Sequence, residues 1–338
     1  MKPLLPNTYV LNNKYLQSII SPSTDIIDYN FTSEQVHKLN LLQILRPDIY
    51  FNKNLSEEEF FDLSKKYYQK LIDEEIIYKS EKEYFLYRID SENHSQTGLI
   101  SLLNIQDYIN RNIKPHEKIL VSKGKERADQ LSKVKFQLSP IYLFYDDENI
   151  DLNLDIHHDK KPIIKFKSGK YTHSIYKTNT DFSGINFKEL FVADGHHRIE
   201  GFAQLDVDKD TKFLSILFPK SKCLNLSYNR SIKFPKDYKK DSFLTDLRKY
   251  FHAEELKYHE KIERFFVIYF EGKFFKIDLK DNYSSNGADC IDFGEFVLKE
   301  ILNIYDETSD ERVEFCQPPV GNDYLINQVD KCISDLST

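Results

Sequence analysis

The chain changes from a predicted strand to a predicted helix within one short segment, Phe191-Val192-Ala193-Asp194-Gly195-His196-His197-Arg198. The apolar residues from Leu190 to Ala193 predict a short buried strand, and Arg198 to Leu205 predicts a helix. Gly195 permits a sharp turn and a close approach of the backbone to a ligand. The first amides of such a helix lie beside the positive end of its dipole and bind anions, above all phosphate. This turn therefore predicts a site for a phosphate-bearing ligand.

The side chains at the turn add donors. His196, His197 and Arg198 carry N–H groups that suit phosphate oxygens. Asp194 could orient one imidazole or hold a metal ion. A simpler interpretation remains open, in which Asp194 caps an ordinary helix and both histidines are exposed. A zinc site fits less well, because adjacent histidines point in different directions and rarely bind one ion together.

Two further segments are candidates for the same chemistry. His116-Glu117 offers an imidazole and a carboxylate, and Arg127 follows on a polar helix where it could balance phosphate charge. Asn229 and Arg230 follow a strand and a loop. All three also have simpler interpretations. His116-Glu117 could lie in a solvated loop, Arg127 on a solvent-exposed helix face, and Asn229-Arg230 in a turn with an exposed arginine.

Composition limits the classes of protein to consider. The 338 residues are 40% hydrophobic, so the chain can bury a core, and the net charge is −7. A mildly acidic chain repels a nucleic-acid backbone on average, so nucleic acid is not the expected partner. No stretch approaches the roughly 18 apolar residues of a membrane span, and residues 1–15 lack a signal-peptide pattern. The four cysteines form no Cys-x-x-Cys pair, which suits reduced thiols in a cytoplasmic protein.

The pattern of elements predicts a mixed α/β fold. Residues 1–95 are expected to be mostly helical, with helix caps at Thr32–Gln35 and Asn54–Glu57 and a strand at Tyr84–Arg88. Residues 96–235 alternate strands and helices, with a strong strand at Pro140–Tyr145. Residues 236–338 form an α+β segment with one helix from the cap at Asp241-Ser242 through Phe251 and another from Phe293 to Ile304. Two hairpins are expected, one around Ser168-Gly169 and one around Glu271-Gly272.

Several motifs together resemble a known family. The most specific part is His116-Glu117 followed by the Asp194–Arg198 turn. The resemblance runs over most of the chain and includes Leu45-Arg46-Pro47, Thr97-Gly98-Leu99, Ile113–Lys118, Pro140–Tyr145, Tyr228-Asn229-Arg230 and Cys290–Phe293. These residues are similar to the bacterial and archaeal proteins filed as domain of unknown function 1015, within the ParB/sulfiredoxin-like superfamily.

The resemblance implies a fold and an activity. It implies a ParB/sulfiredoxin-like nucleotide-binding core at residues 96–235, with a helical N-terminal and an α+β C-terminal addition. Relatives in this superfamily bind nucleotides at the turn, and some phosphorylate free L-serine to O-phosphoserine. The expected function is therefore a nucleotide-dependent small-molecule kinase that uses ATP or ADP with Mg²⁺.

The resemblance also implies roles for single residues. Glu117 would act as the general base on the acceptor hydroxyl, together with His116, Asp194 and His197. Nucleotide phosphates would bind at Gly195, His196, His197 and Arg198, with Arg127 nearby. Asn229 and Arg230 would hold the acceptor, and Asp194 would bind the metal.

Two alternatives to the kinase remain, and the oligomeric state is open as well. A non-catalytic ParB-like switch would bind nucleotide tightly, hydrolyse it slowly and change its oligomeric state. Nucleic-acid binding comes third, because the acidic charge balance argues against it. A homodimer is also possible, and no membrane partner is expected.

Overall fold

The computed structural model divides the chain into two compact units, Met1–Leu224 and Asn225–Thr338. It describes residues 1–21, 37–51, 53–115, 128, 131–134, 136–147, 149–150, 152, 154, 156, 160–205, 210–224, 229–257, 266–284, 289–307, 309–316, 326–327 and 329–330. None of the helices in these ranges is long and apolar enough to cross a bilayer. The division at residues 95 and 235 expected from the sequence stays a prediction.

The first unit is built on a large mixed sheet. Its strands are β1 (Tyr9–Leu11), β2 (Ile77–Lys79), β3 (Tyr84–Asp90), β4 (Ser95–Asn104), β5 (Ile113–Lys114), β6 (Ile141–Tyr145), β7 (Ile164–Ser168), β8 (Tyr171–Thr178), β9 (Leu190–Asp194) and β10 (Lys212–Pro219). The eight-stranded sheet has the order β5-β9-β6-β10-β4-β3-β8-β7, and β1 pairs with β2. The β5–β9 and β6–β10 pairs are parallel, and the other pairs are antiparallel. The mixed α/β class is therefore confirmed, while the ParB/sulfiredoxin-like core stays a prediction.

Helices of the first unit lie between these strands. They are α1 (Leu16–Ile19), α2 (Leu42–Leu45), α3 (Pro47–Phe51), α4 (Glu57–Asp73), α5 (Ile105–Ile109) and α6 (His196–Gln204). Short 3₁₀ turns cover Asn13–Tyr15 and Lys220–Lys222. A capping box starts α4: the Ser56 hydroxyl accepts from the Glu59 amide, and the Glu59 carboxylate accepts from the Ser56 amide. The cap predicted at Asn54–Glu57 is confirmed, and the one at Thr32–Gln35 lies outside the described residues.

One face of the large sheet forms the main core. Alternate residues of β10, such as Phe213 and Leu217, pack on this face with Ile199 and Phe202 of α6. This alternation follows from the period of two along a strand. The packing fixes α6 against the sheet, so the turn that precedes α6 has a defined position at the end of β9.

The second unit has its own core. Its strands are β11 (Asn229–Ile232), β12 (Phe251–Leu256), β13 (Phe266–Phe270), β14 (Lys273–Leu279) and β15 (Val313–Cys316). Its helices are α7 (Phe243–Tyr250), α8 (Asp289–Phe293) and a π-helical segment, Gly294–Ile301, with a 3₁₀ turn at Lys240–Ser242. The sheets are β12-β14-β13 and β11-β15.

Two expectations for the second unit had different outcomes. The hairpin at Glu271-Gly272 is confirmed, and both residues have the positive φ angles of 49° and 78° that a two-residue turn requires. The helix expected to run through Phe251 ends at Tyr250, because Phe251 begins β12 and pairs with β14.

Candidate functional site

Gly195 makes the connection between β9 and α6. Its φ of 97° and ψ of 25° lie in the left-handed region, which favours glycine. A Cβ atom at this position would lie 2.9 Å from Nη2 and 3.0 Å from Nε of Arg198. Both the backbone conformation and the space therefore require glycine. The predicted strand, turn and helix are confirmed, although α6 begins at His196, before the expected Arg198.

Asp194 and Arg198 form an ion pair across this turn. Arg198 Nη2 donates to Asp194 Oδ2 at 2.5 Å, and the side chains are 33% and 70% exposed, with Asp194 the more open. Arg198 Nε is buried and has no hydrogen-bond partner within the described part of the chain. The pair is thus open to a ligand on the carboxylate side, while part of the guanidinium faces the protein.

The two histidines occupy different environments. His196 is only 4% exposed, because it shares the buried stripe of α6 with Ile199 and Phe202 at helical spacing. His197 is half-buried. Helix phase turns the His196 side chain towards the protein and leaves its backbone amide in the first turn of α6, so the two imidazoles are not both exposed. The nucleotide-binding roles of His196 and His197 stay predictions.

A β-bulge sets the direction of the Asp194 side chain. Leu143 of β6 pairs with Val192 of β9, yet the adjacent Tyr142 pairs with Asp194, so Ala193 is the extra residue. Because paired residues place their side chains on the same face, the bulge puts the Asp194 side chain on the face of Tyr142. Without the bulge Asp194 would follow Val192 onto the main core face.

Tyr142 belongs to a cluster on the second face of the sheet, which we call the aromatic face: Tyr87, Tyr142, His173 and Phe218. The Tyr87 hydroxyl lies 2.6 Å from His173 Nδ1. The Tyr87 and Tyr142 ring centroids are 6.3 Å apart, and Tyr142 stacks on Phe218 at 5.9 Å. Gly98 makes room for these rings, because a Cβ atom there would lie 2.8 Å from Cε1 of Phe218.

The environment sets the protonation of the aromatic face. Burial raises the pKa of Tyr142; a hydrogen-bond interaction with Tyr87 lowers this pKa, Asp194 raises it and Arg198 lowers it. Burial also raises the pKa of Tyr87. Burial lowers the pKa of His173. Near neutral pH both phenols are therefore protonated and the imidazole is neutral.

Sequence reasoning did not find Tyr87, Tyr142 or His173. Tyr142 lies in the strand predicted at Pro140–Tyr145, but no motif marks it. Its position next to Asp194 depends on a bulge, and its position next to Tyr87 depends on the order of distant strands. Neither feature has a signal in a single sequence.

The remaining predicted site residues fall into two groups. His116, Glu117 and Arg127 lie outside the described residues. Asn229 and Arg230 lie on β11 in the second unit, where Arg230 Nη1 pairs with Glu307 Oε2 at 2.5 Å. The expected acceptor-binding role of Asn229 and Arg230 stays a prediction.

Metal binding at the turn would depend on the ligand. Within the described ranges, no group of three or more His, Cys, Asp or Glu side chains is placed to hold a metal ion. Mg²⁺ in proteins often uses one or two carboxylates together with substrate phosphates. The exposed carboxylate of Asp194 fits such a shared site, in which phosphates and water supply the other oxygens.

Comparison with solved structures finds distant similarity. A free serine kinase variant in complex with ADP is 13% identical, with a TM-score of 0.32 over 64% of this chain and 66% of that chain. A second free serine kinase variant, in complex with AMP, is 12% identical, with the same TM-score and coverage. A conserved hypothetical protein from Pyrococcus furiosus is 13% identical, with a TM-score of 0.30 over 64% and 69%. The chain spans just under two thirds of the two kinase structures.

Sequence comparison gives the family. No curated protein matches the chain. The family described as "Protein of unknown function (DUF1015)" matches residues 3–301, which is most of the chain. This protein therefore belongs to the DUF1015 family.

Proposed function

We propose that this protein is a nucleotide-dependent small-molecule kinase that binds nucleotide phosphates at the Asp194–Arg198 turn. The observation that carries the proposal is the left-handed conformation of Gly195 at the start of α6. The Arg198 guanidinium packs against the Cα atom of Gly195. Free L-serine is the acceptor we propose, with O-phosphoserine as the product. The proposed core is of the ParB/sulfiredoxin-like kind.

The geometry of the turn supports phosphate binding in three ways. Gly195 is the N-cap residue of α6 and has no side chain. The positive end of α6 therefore carries no carboxylate or hydroxyl cap from this position. Arg198 brings a permanent positive charge and further N–H donors that can bind a phosphate oxygen. Asp194 offers an exposed carboxylate for Mg²⁺.

The chemistry of phosphoryl transfer matches this set of groups. The reaction needs charge neutralisation and in-line positioning, with a carboxylate to accept the hydroxyl proton. In our proposal Glu117 takes the proton of the serine hydroxyl while its oxygen bonds to the terminal phosphorus. The bond from that phosphorus to the rest of the nucleotide breaks, so ATP leaves as ADP, or ADP as AMP.

The roles of the remaining residues rest on the family resemblance. His116 would help to position Glu117, and His197 would contact the transferred phosphate. Arg127 would neutralise nucleotide charge. Asn229 and Arg230 would bind the polar groups of the acceptor amino acid.

Product analysis tests the proposal directly. Purified protein is incubated with ATP or ADP, Mg²⁺ and L-serine, and phosphoserine is measured by mass spectrometry. We expect product from the wild type, and only background from Glu117→Gln. Glu189→Gln is the matched control, because Glu189 is an exposed carboxylate that pairs with Lys114 and has no proposed role.

The outcome without product is informative. If the wild type makes no phosphoserine above the Glu117→Gln background, serine is rejected as the acceptor. Tight nucleotide binding with slow hydrolysis and a nucleotide-dependent change in light scattering would then indicate the ParB-like switch.

A further inference from the structure

A line of polar groups crosses the aromatic face and ends at the candidate site. It begins at His173 of β8, whose Nδ1 lies 2.6 Å from the Tyr87 hydroxyl of β3. The Tyr87 and Tyr142 rings meet in an edge-on arrangement with centroids 6.3 Å apart. Tyr142 of β6 is paired with Asp194 at the bulge. The line therefore connects β8 to the Asp194–Arg198 turn.

The reach of the two tyrosines explains this contact. Strands β3 and β6 are separated by β4 and β10, which is a distance of roughly 14 Å at about 4.8 Å per strand. Ring centroids only 6.3 Å apart therefore require the Tyr87 and Tyr142 side chains to lean over the strands between them. Gly98, which pairs with Tyr87, leaves the space above β4 that the rings and Phe218 fill.

We propose that His173, Tyr87 and Tyr142 form a positioning chain that holds the Arg198 guanidinium in place for a phosphate ligand. The identity of that ligand as a nucleotide phosphate rests on the function proposed above. None of the three residues is proposed to touch the reacting atoms. They act through Arg198.

The direction of the hydrogen bonds follows from the donors and acceptors available. A neutral imidazole with its proton on Nδ1 donates to the Tyr87 oxygen. The Tyr87 hydroxyl is then free to donate to the Tyr142 oxygen, which is the direction in which Tyr87 lowers the pKa of Tyr142. The Tyr142 oxygen keeps a second lone pair for the charged end of the chain, where Arg198 is the donor.

Arg198 has a donor that suits this arrangement. Its Nη2 is engaged by Asp194, and its buried Nε has no hydrogen-bond partner in the described ranges. A lone pair of Tyr142 directed at Nε would fix the second edge of the guanidinium plane. With Nε and Nη2 both held, Nη1 is the nitrogen left to meet a ligand oxygen.

The test uses a readout on Arg198 itself and one on the ligand. Hydrogen exchange of the Arg198 Nε–H is measured by NMR, with the resonance assigned through Arg198→Lys. ADP binding with Mg²⁺ is measured by calorimetry. We expect Tyr142→Phe and Tyr87→Phe to speed the exchange and to weaken ADP binding about tenfold, the loss expected for roughly one hydrogen bond.

Two comparisons separate positioning from general destabilisation. Tyr84→Phe removes a buried hydroxyl from the same strand as Tyr87, where it donates to Pro3 O on the opposite face of the sheet. This control should leave both readouts unchanged. His173→Asn keeps an N–H donor near the Nδ1 position and should behave like the wild type, whereas His173→Leu should behave like Tyr87→Phe.

Unchanged Arg198 exchange in Tyr142→Phe and Tyr87→Phe would overturn the proposal. Faster exchange with unchanged ADP affinity would also overturn it, since the order of the guanidinium would then not matter to the ligand. Identical behaviour of His173→Asn and His173→Leu would remove His173 from the chain. If the wild type binds no ADP but Tyr142→Phe still speeds the exchange, the proposed function fails and the positioning chain stands.

Discussion

Gly195 shows how one residue can be tied to both stability and binding. Alanine there would adopt an unfavourable left-handed φ of 97° and push against the Arg198 guanidinium. We expect Gly195→Ala to cost about 1–3 kcal/mol of unfolding free energy and to weaken ADP binding. Urea unfolding and calorimetry measure the two effects.

Gly169→Ala is the matched control for this prediction. Gly169 also has a positive φ, of 55°, but a Cβ atom there would meet nothing within 4 Å. It should lose stability through backbone strain alone and keep the wild-type affinity for ADP. Equal ADP affinity in both variants would mean that Arg198 does not depend on the space beside Gly195.

The buried imidazole of His173 makes a prediction about pH. Burial lowers the pKa of His173 in the folded protein relative to its ordinary value of 6.5. The unfolded chain therefore binds a proton first, so the stability from His173 is complete above about pH 6.5 and is lost as the pH falls towards the folded pKa. Urea unfolding from about pH 7.5 to 5.5 should show a larger loss of stability in the wild type than in His173→Asn. Parallel curves would show that this imidazole titrates alike in both states.

Single residues of the site differ in how well the sequence predicted them. Asp194, Gly195 and Arg198 were predicted because the turn is local, and a strand, a glycine and a helix start follow one another. The burial of His196 was not predicted, because it depends on the phase of α6, which begins at His196 and not at the expected Arg198. Tyr142 and Tyr87 come from strands that only the sheet order brings together.

At the scale of elements, the pairing of β4 with its neighbours leaves no space above Gly98. A Cβ atom there would lie 2.7 Å from Cγ2 of Ile216 and 2.8 Å from Cε1 of Phe218. Overpacking of this kind costs about 1–3 kcal/mol, and we expect that loss for Gly98→Ala in urea unfolding.

Gly184→Ala is the control for the strand prediction. Nothing lies within 4 Å of a Cβ atom at Gly184, and its φ is not in the left-handed region. It should keep or slightly raise the stability, because alanine restricts the unfolded chain. A Gly98→Ala variant as stable as Gly184→Ala would show that the rings above β4 can move aside.

Elements with local signals were predicted, whereas β12, which depends on pairing with a later strand, was not. The capping box of α4 and the hairpin at Glu271-Gly272 are encoded within a few residues. Strand β12 follows α7 directly, and its register comes from β14, which lies later in the chain. The π-helical segment Gly294–Ile301 replaces part of the helix expected from Phe293 to Ile304, since apolar periodicity does not distinguish a wider helical turn.

At the scale of the whole molecule, the two units have separate hydrophobic cores. Leu247 is fully buried in the core of the second unit, whereas the Asp194–Arg198 turn and Glu117 belong to the first. We expect Leu247→Ala to cost about 2–5 kcal/mol of unfolding free energy and to leave the ADP affinity unchanged. Urea unfolding and calorimetry on the same preparation check both. A loss of ADP affinity as large as the loss of stability would contradict a nucleotide site confined to the first unit.

The sequence predicted the class of the whole molecule but not the order of the strands in its large sheet. Alternating apolar segments and turn residues were sufficient for a mixed α/β fold. The strand predicted at Tyr84–Arg88 is confirmed as β3, but its place in the interior of the large sheet was not predicted. Apolar periodicity predicts which element forms, whereas the position of a strand in a sheet depends on partners far along the chain.

The most direct test compares ADP binding in the wild type and Arg198→Ala by calorimetry with Mg²⁺. Loss of a charge-assisted hydrogen bond should weaken binding by about 1.5–3 kcal/mol. Arg88→Ala is the control, because Arg88 forms a similarly half-exposed ion pair, with Asp90, on β3. We predict wild-type affinity for Arg88→Ala and the full loss for Arg198→Ala. Equal affinity in all three proteins would contradict phosphate binding at the Asp194–Arg198 turn.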